Sequence, residues 1–469
     1  MKYYSTNNHN KVVNFETALL EGMPSDYGLY MMDRNDVPKL SEEELVSMHG
    51  KSYAEIAFTV LNPFINGEIP ENELKDLLTD AYSDKIIPTN VQKITGKTYI
   101  MWLTGGPTYS FKDYAARFYG RALNYFLKKR DLRRVVIVAT SGDTGGAIAD
   151  ALLGLPNVDV IVFYPKGSIS NGQRRQMTTL SKNVYAFEVN GDFDACQALA
   201  KYLLNDKDFA EEAFGDRERF TSANSISIGR LLPQMVYPFY AYSKIKETFM
   251  ASIPSGNFGD MMGTVVAKQM GLPVTKIICG VNENIVFPQF LETGEYVVKD
   301  AVFSPSSAMI VSHPSNVVRL VDFYNGHISD LRENGKVLKT GIISKMPDLD
   351  EMKKDIFSIS IDNAEHYRTI KEVYEKYKTI LDPHGAVGFR ALDAYLKGDF
   401  NQTSVIYETA DPGKFPDDVK KAIGIVPKIP PRMEKQANLK ERIFTISGKD
   451  FDSQLIEAKS GIIKLFEKI

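Results

Sequence analysis

The chain has 469 residues, enough for two or three domains around a large core. Its 25% charged and 43% apolar residues are those of an ordinary globular protein, and a net charge of −3 leaves no basic footprint for nucleic acid or an anionic membrane. Cys196 and Cys279 lie far apart, the six histidines are scattered singly, the first residues lack the apolar core of a signal peptide, and no apolar run can span a bilayer. A cytoplasmic protein without a disulfide framework or a metal centre is expected.

Residues 1–95 read as a polar, mostly helical lead-in. The stretches 41–49 and 52–61 each open on a serine with glutamates behind it, and Pro63, Gly67 and Pro70 break the chain between helices. At 104–107 Gly105, Gly106 and Pro107 force a turn. Thr108 and Ser110 are available as caps, Asp113 adds negative charge to a first turn, and apolar residues at helical spacing follow to Phe126. Lys112, beside Phe111, therefore stands where a loop becomes a helix. A lysine there commonly serves as a solvated charge. One that condenses with an aldehyde must be partly desolvated, so that its neutral form is accessible.

The β-branched run 134–139 fits a strand buried on both faces. Thr140-Ser-Gly-Asp-Thr-Gly-Gly146 follows, then a helix over 147–153, strands over 158–164 and 184–189, and a helix over 192–204. A second series has a helix at 231–242, a strand at 249–254, the turn Ser255-Gly-Asn-Phe-Gly-Asp260, a helix at 261–270 and a strand at 277–281. Strands alternating with helices call for parallel sheets with right-handed crossovers. The expected class is α/β, with two parallel-sheet domains and a cleft between them. The expected division is a helical lead-in at 1–95, a large domain at 96–135 and 225–430, a small domain at 136–224, and a helical tail at 431–469. Within the later chain, 304–319 reads as irregular and lining the cleft, 362–377 and 386–396 as helices, 404–409 as a strand, and 453–467 as an amphipathic helix.

Two turns carry further chemistry. Ser255–Asp260 is a phosphate cradle in form, since glycines let backbone amides approach an anion at a helix start; a plain strand–helix turn has the same pattern. It lacks the Lys-Ser/Thr ending of a P-loop, and neither turn has the three-glycine dinucleotide spacing. Thr140–Gly146 offers the hydroxyls of Ser141 and Thr144 and several amides, where a carboxylate would fit; a capped helix is the alternative. The Gly-x-Ser-x-Gly elbow is absent, which argues against Ser141 as a hydrolase nucleophile. A lysine, a phosphate cradle and a carboxylate cradle together match pyridoxal phosphate with an amino-acid substrate.

The motifs Gly106-Pro-Thr-Tyr-Ser-Phe-Lys-Asp113, Ala139-Thr-Ser-Gly-Asp-Thr-Gly145, Gly191-Asp-Phe-Asp-Ala-Cys-Gln-Ala198, Ser222-Ala-Asn-Ser-Ile226, Pro254-Ser-Gly-Asn-Phe-Gly259 and Asp382-Pro-His-Gly-Ala386 resemble those of the threonine synthase family. That family has the tryptophan-synthase-β-like (type II) pyridoxal phosphate fold. The resemblance implies that Lys112 holds the cofactor, with Phe111, Asp143, Ser255, Gly256, Asn257, Phe258, Gly259, Asp260 and Thr409 around it. It places Thr108, Ser141, Gly142, Thr144, Asn224, Ser227 and Arg230 at the substrate. Arg174 and Arg175 are expected to add positive charge near the cleft, although a solvated helix face accounts for them equally.

The chain also departs from the family. Thr104-Gly105 and Tyr109-Ser110 replace its usual residues around the lysine motif. Ser227 stands for an asparagine, Ser168 for a lysine, and Ile285 and Ile310 for aspartates, while Asp411 and Gly413 alter the signature after Thr409. Loss of two carboxylates from the cleft would suit an anionic nucleophile, because like charges repel strongly in a low dielectric. The favoured expectation is therefore β-replacement on an O-phospho-amino acid as in cysteate synthase, joining O-phospho-L-serine and sulfite. Threonine synthase itself, taking O-phospho-L-homoserine and water, is the alternative, with phospholyase activity third. An inactive binding paralogue or a nucleotide-binding module sits poorly with an intact Lys112 and glycine turn. The expected partners are small molecules, and the expected assembly is a monomer or homodimer.

Overall fold

The computed structural model describes residues 1–333 and 335–466. The lead-in is not purely helical. Strands Tyr3–Ser5, Asn8–Val13 and Tyr30–Met31 form a small antiparallel sheet with Tyr3–Ser5 in the middle. Helices Glu42–Ser47 and Tyr53–Ile65 begin as their sequence indicates: the Ser41 and Ser52 hydroxyls accept the amides of Glu44 and Glu55, the third residues of their helices, and those glutamates reach back to complete capping boxes.

Two parallel sheets follow. The larger runs Ile356–Ser360, Val274–Val281, Phe249–Pro254, Ser404–Glu408 and Thr98–Trp102 in spatial order, all parallel, with Asn90–Thr95 antiparallel at the edge. The smaller is parallel throughout: Ile443–Ile446, Val184–Val189, Val158–Pro165, Arg134–Ala139 and Phe220–Ser222. Every residue of strands Arg134–Ala139 and Phe249–Pro254 is buried, which explains why both read as continuous apolar runs.

Several elements differ from the sequence expectation. The helix after Thr140 starts at Asp143, not at 147. Its first turn contains Gly145 and Gly146, and a Cβ on Gly145 would lie 2.3 Å from Met177 Sδ, so the glycines mark close packing rather than a loop. The stretch 231–242 is three pieces, Ile228–Leu231, a 3-10 turn Leu232–Met235 and Val236–Ile245. Pro233 lies in the turn and Pro238 in the last helix, each without an amide to donate. The span 304–319 is irregular only to its middle, since a helix begins at Ser315 and ends at Phe323. The tail is more than helical: after the helix Pro431–Gln436, Ile443–Ile446 adds an edge strand to the small sheet, with Phe444 stacked on Phe187 at 5.1 Å. The final helix runs Phe451–Phe466, and the expected end at residue 467 lies outside the described residues. The hairpin of His327–Glu333 and Lys336–Lys345 was not anticipated. Among the described residues no helix is long and apolar enough to cross a membrane.

One buried cation joins lead-in and core. Arg319 is fully buried without a carboxylate partner among the described residues, and burial pushes its guanidinium down to about 9. It donates to the carbonyls of Tyr30 (2.9 Å), Ser225 (2.8 Å) and Ile226 (2.5 Å) and to Asn316 Oδ1 (2.6 Å). Arg319→Leu leaves three buried carbonyls without a donor, at ~1–3 kcal/mol each. Urea denaturation should show a loss of roughly 3–9 kcal/mol; a loss under about 1 kcal/mol contradicts this role.

Candidate active site

A cavity opens at the carboxyl ends of strands Arg134–Ala139, Phe249–Pro254 and Ser404–Glu408, the usual place for a ligand in parallel α/β sheets. Lys112, the first residue of the helix Lys112–Arg130, lines it. The turn before that helix is fixed from within. Thr108 donates its amide (2.8 Å) and hydroxyl (2.6 Å) to Asp113, whose carboxyl burial pushes up to about 6 against those bonds. A Cβ on Gly106 would stand 2.3 Å from Asp113 Oδ2, so the turn admits only glycine.

The Lys112 side chain is 15% exposed. Its Nζ sits 4.5 Å from the Phe111 ring centre and 4.0 Å from Asp143 Oδ2. Burial lowers its basicity, and Asp143 only partly opposes this. The neutral amine is thus more accessible than on a surface lysine. Asp143 is shared. Its Oδ1 takes a 2.7 Å ion pair from the fully buried Lys414 and a 3.0 Å bond from Gln173 Nε2. Burial alone would raise its carboxyl, but Lys414 and then Lys112 hold it well below the carboxylate range.

On the other side, Gly256, Asn257, Phe258, Gly259 and Asp260 line the cavity. Phe258 takes a left-handed φ of 61° and opens the helix Gly259–Gln269. A Cβ on Gly256 would lie 2.7 Å from Ala308 O, and one on Gly259 2.8 Å from Gln234 Nε2. The amides of Gly256, Asn257, Phe258 and Gly259 donate to no described residue, so they form an anion cradle at a helix start. Asp260 also faces the cavity; burial pushes its carboxyl up to about 6, and its Oδ2 has no partner. Thr409 closes the end beyond strand Ser404–Glu408. An amine with room beside it, orphaned amides and a hydroxyl opposite fit pyridoxal phosphate: Lys112 would bind its aldehyde carbon, the glycine turn its phosphate, and Thr409 its ring nitrogen.

Ser141, Thr144, Asn224 and Arg230 are also on the wall. Asn224 is locked to both the amide (2.9 Å) and the carbonyl (2.6 Å) of Ala139, so its role is at least partly to hold the strand end. Arg230 is 3% exposed; it donates to Ala223 O at 2.7 Å and, among the described residues, has no carboxylate partner and leaves Nε unpaired. Burial pushes its guanidinium down to about 10. Thr108, Gly142, Ser227 and Ser255 lie behind the wall rather than on it. Gly142, at φ 131°, packs on Gln173, and Thr140 Oγ1 rather than Ser141 caps the helix by accepting the amides of Gly142 and Gly145.

Other expectations fail. Arg174 and Arg175 do not face the cavity. Arg174 makes two bonds to Glu441, at 2.8 and 2.9 Å, while Arg175 reaches Glu441 at 2.7 Å and the carbonyls of Gln436 and Leu439. They clamp the tail. Ile285 is 39% exposed at the start of the helix Val286–Thr293, and Ile310 is absent from the cavity wall. Conversely, Phe193, Gln234 and His384 line the cavity unanticipated, while Ala308 and Met309 bring the 304–319 stretch onto its wall as expected. His384 lies inside the motif Asp382–Ala386 and Lys414 closes the stretch after Thr409, so both carried a signal; Gln234 carried none.

The Lys414–Asp143 pair yields a stability prediction. Removing one partner of a buried pair strands the other. Lys414→Met should lower the unfolding free energy by about 3–5 kcal/mol at neutral pH. The sign in pH follows from a depressed carboxylate: the Asp143 contribution is complete above its unfolded value near ~4 and fades as the pH falls. The gap between wild type and variant should therefore narrow in acid, and denaturation curves with a pH-independent gap would contradict the pairing.

Three family models match the chain: "Threonine synthase N terminus" over residues 2–82, "Pyridoxal-phosphate dependent enzyme" over 88–408, and "Threonine synthase, C-terminal" over 385–455. The threonine synthase of Pseudomonas aeruginosa is 34% identical over 459 residues, covering 94% of this chain and 95% of that one; that of Escherichia coli is 33% identical with the same coverage. Among solved structures, pyridoxal phosphate-bound threonine synthase from Brucella melitensis aligns with a TM-score of 0.86 at 31% identity, covering 99% of both chains. The yeast enzyme aligns at 0.84 and 30%, again covering 99% of both. The chain belongs to the threonine synthase family, phosphate-releasing enzymes of the type II fold whose cofactor is pyridoxal phosphate.

Proposed function

We propose that the chain is a threonine synthase, converting O-phospho-L-homoserine and water to L-threonine and phosphate. The observation that carries this reading is Arg230, a buried guanidinium with no carboxylate partner, on the same wall as Lys112. A buried cation without a counter-ion is costly, and a bound anion relieves the cost. With the glycine turn committed to the cofactor phosphate, Arg230 suits the phosphate of the substrate. The relatives at 33–34% identity all carry the name threonine synthase. The features that favoured sulfite lose their basis: Ile285 and Ile310 are off the wall, and Arg174 and Arg175 are held by Glu441.

The bound cofactor supplies an electron sink for charge developing on the substrate carbons. The Lys112 amine, made less basic by burial, takes the proton from the substrate α-carbon. Asp143 steadies Lys112 between transfers while Lys414 keeps that carboxylate ionised. Ser141, Thr144 and the amides opening the helix Asp143–Leu152 bind the substrate carboxylate. Phe111, Phe258 and Met309 give the cavity apolar walls that limit water to what the reaction consumes.

Phosphate release should be measured with O-phosphohomoserine, and with O-phosphoserine with and without sulfite, identifying each amino-acid product. Threonine from phosphohomoserine is expected at the highest kcat/KM; sulfite-dependent cysteate as the main product would overturn the reading. Arg230→Ala should cut kcat/KM by about 10–100-fold, the worth of a charge-assisted hydrogen bond, and leave cofactor absorbance intact. Lys112→Ala should lose both turnover and the mass increment fixed by borohydride.

A further inference from the structure

His384 lines the cofactor cavity as the second residue of the helix Pro383–Leu396. Two bonds determine its state. Nε2 lies 3.1 Å from the amide nitrogen of Ala308, and Nδ1 lies 2.5 Å from Asp382 Oδ2. An amide can only donate, so Nε2 is an acceptor and the ring proton sits on Nδ1, donating to Asp382. The imidazole is therefore neutral, with one tautomer selected.

Its supports are as buried as the ring. Asp382 is fully buried; its Oδ1 accepts the Gly385 amide at 2.6 Å, capping the helix, and its own amide donates to Glu408 Oε1 at 2.7 Å. Phe415 stands edge-on to the imidazole with ring centres 5.2 Å apart. A run of contacts thus leads from the end of strand Ser404–Glu408, next to Thr409, through Asp382 and His384 to Ala308.

Ala308 sits in the 3-10 turn Ser307–Met309, the part of the 304–309 segment that touches the glycine turn. The fit is close: a Cβ on Gly256 would meet Ala308 O at 2.7 Å and Met309 Cα at 2.8 Å. Near its start Ser306 Oγ meets His366 Nε2 at 3.0 Å and Asn282 Nδ2 at 3.3 Å, and Met309 is buried with Ile361 and Val387. At the end that faces the cavity, the Ala308 amide bonds to His384.

We propose that His384 is a positioning residue: its Nε2 holds the Ala308 amide and so seats the 304–309 segment against Gly256, closing that side of the phosphate cradle. The role needs a hydrogen-bond acceptor at the Nε2 position. It is independent of which phosphorylated amino acid reacts, so it can fail or stand apart from the substrate assignment.

Two substitutions separate this role from simple packing. In His384→Gln the amide oxygen can occupy the Nε2 position and accept from Ala308, while the Asp382 bond is lost. In His384→Asn the side chain can still donate to Asp382 but does not reach Ala308. The full chain, loaded with cofactor and stripped of it, is followed by hydrogen exchange at the peptide containing Ala308 and by the cofactor dissociation constant. His384→Asn should speed exchange there and weaken cofactor binding, each by about 10-fold, the worth of one buried hydrogen bond. His384→Gln should stay within about 3-fold of wild type in both. Wild-type behaviour of His384→Asn, or equal losses in the two variants, would overturn the proposal.

Discussion

One buried carboxylate organises the catalytic half of the molecule. Asp143 opens a helix of the small sheet, yet its two cationic neighbours, Lys112 and Lys414, belong to segments flanking the large one. Charges removed from water are costly unless they are paired or hydrogen-bonded. The cluster therefore does two jobs with the same atoms. It joins the two sheets across the cavity, and it leaves Lys112 beside a carboxylate that is already occupied by a stronger partner. At 4.0 Å rather than 2.7 Å, Lys112 feels Asp143 without being captured by it, which keeps its amine available.

Around that cluster, backbone supplies one wall of the cavity. The glycine turn presents amides, and its glycines are dictated by neighbours: Ala308 and Met309 against Gly256, Gln234 against Gly259. Side chains that look functional in the linear sequence hold this backbone in place instead. Thr140 caps a helix, Asn224 ties off a strand, and Thr108 secures the carboxylate of Asp113. The division is economical in physical terms, since main-chain donors at a helix start need no rotamer to be frozen when an anion arrives.

What could be read from the linear sequence was local. The strands Arg134–Ala139 and Phe249–Pro254 announced themselves because burial on both faces leaves one polar residue in each, Arg134 and Ser252. The Lys112 and Asp260 turns were visible because glycine and proline punctuate them. The misreadings share a cause: orientation across space. Arg174 and Arg175 sit one turn inside a helix near the cleft, and only the tail, more than 250 residues on, shows that Glu441 claims them. Ile285 and Ile310 were placed in the cleft by alignment alone, and neither side chain forms its wall. The helix Ser315–Phe323 overlaps the stretch expected to be irregular; Pro314, directly before its first residue, removes no hydrogen bond from the helix. Strand Ile443–Ile446 has four residues and no pattern of its own; its identity comes from pairing with Val184–Val189.

That last pairing shapes how the protein comes into being. The strand Val184–Val189 leaves the ribosome long before the segment that covers its open side, with residues 190–442 still to be made. At ordinary elongation rates of ~5–20 residues per second the interval is roughly 10–50 s. During it a buried-type strand carries unsatisfied amides and carbonyls along an open edge, the kind of template that recruits foreign strands. Completion of the small sheet thus waits on a segment made about 250 residues after the strand it covers.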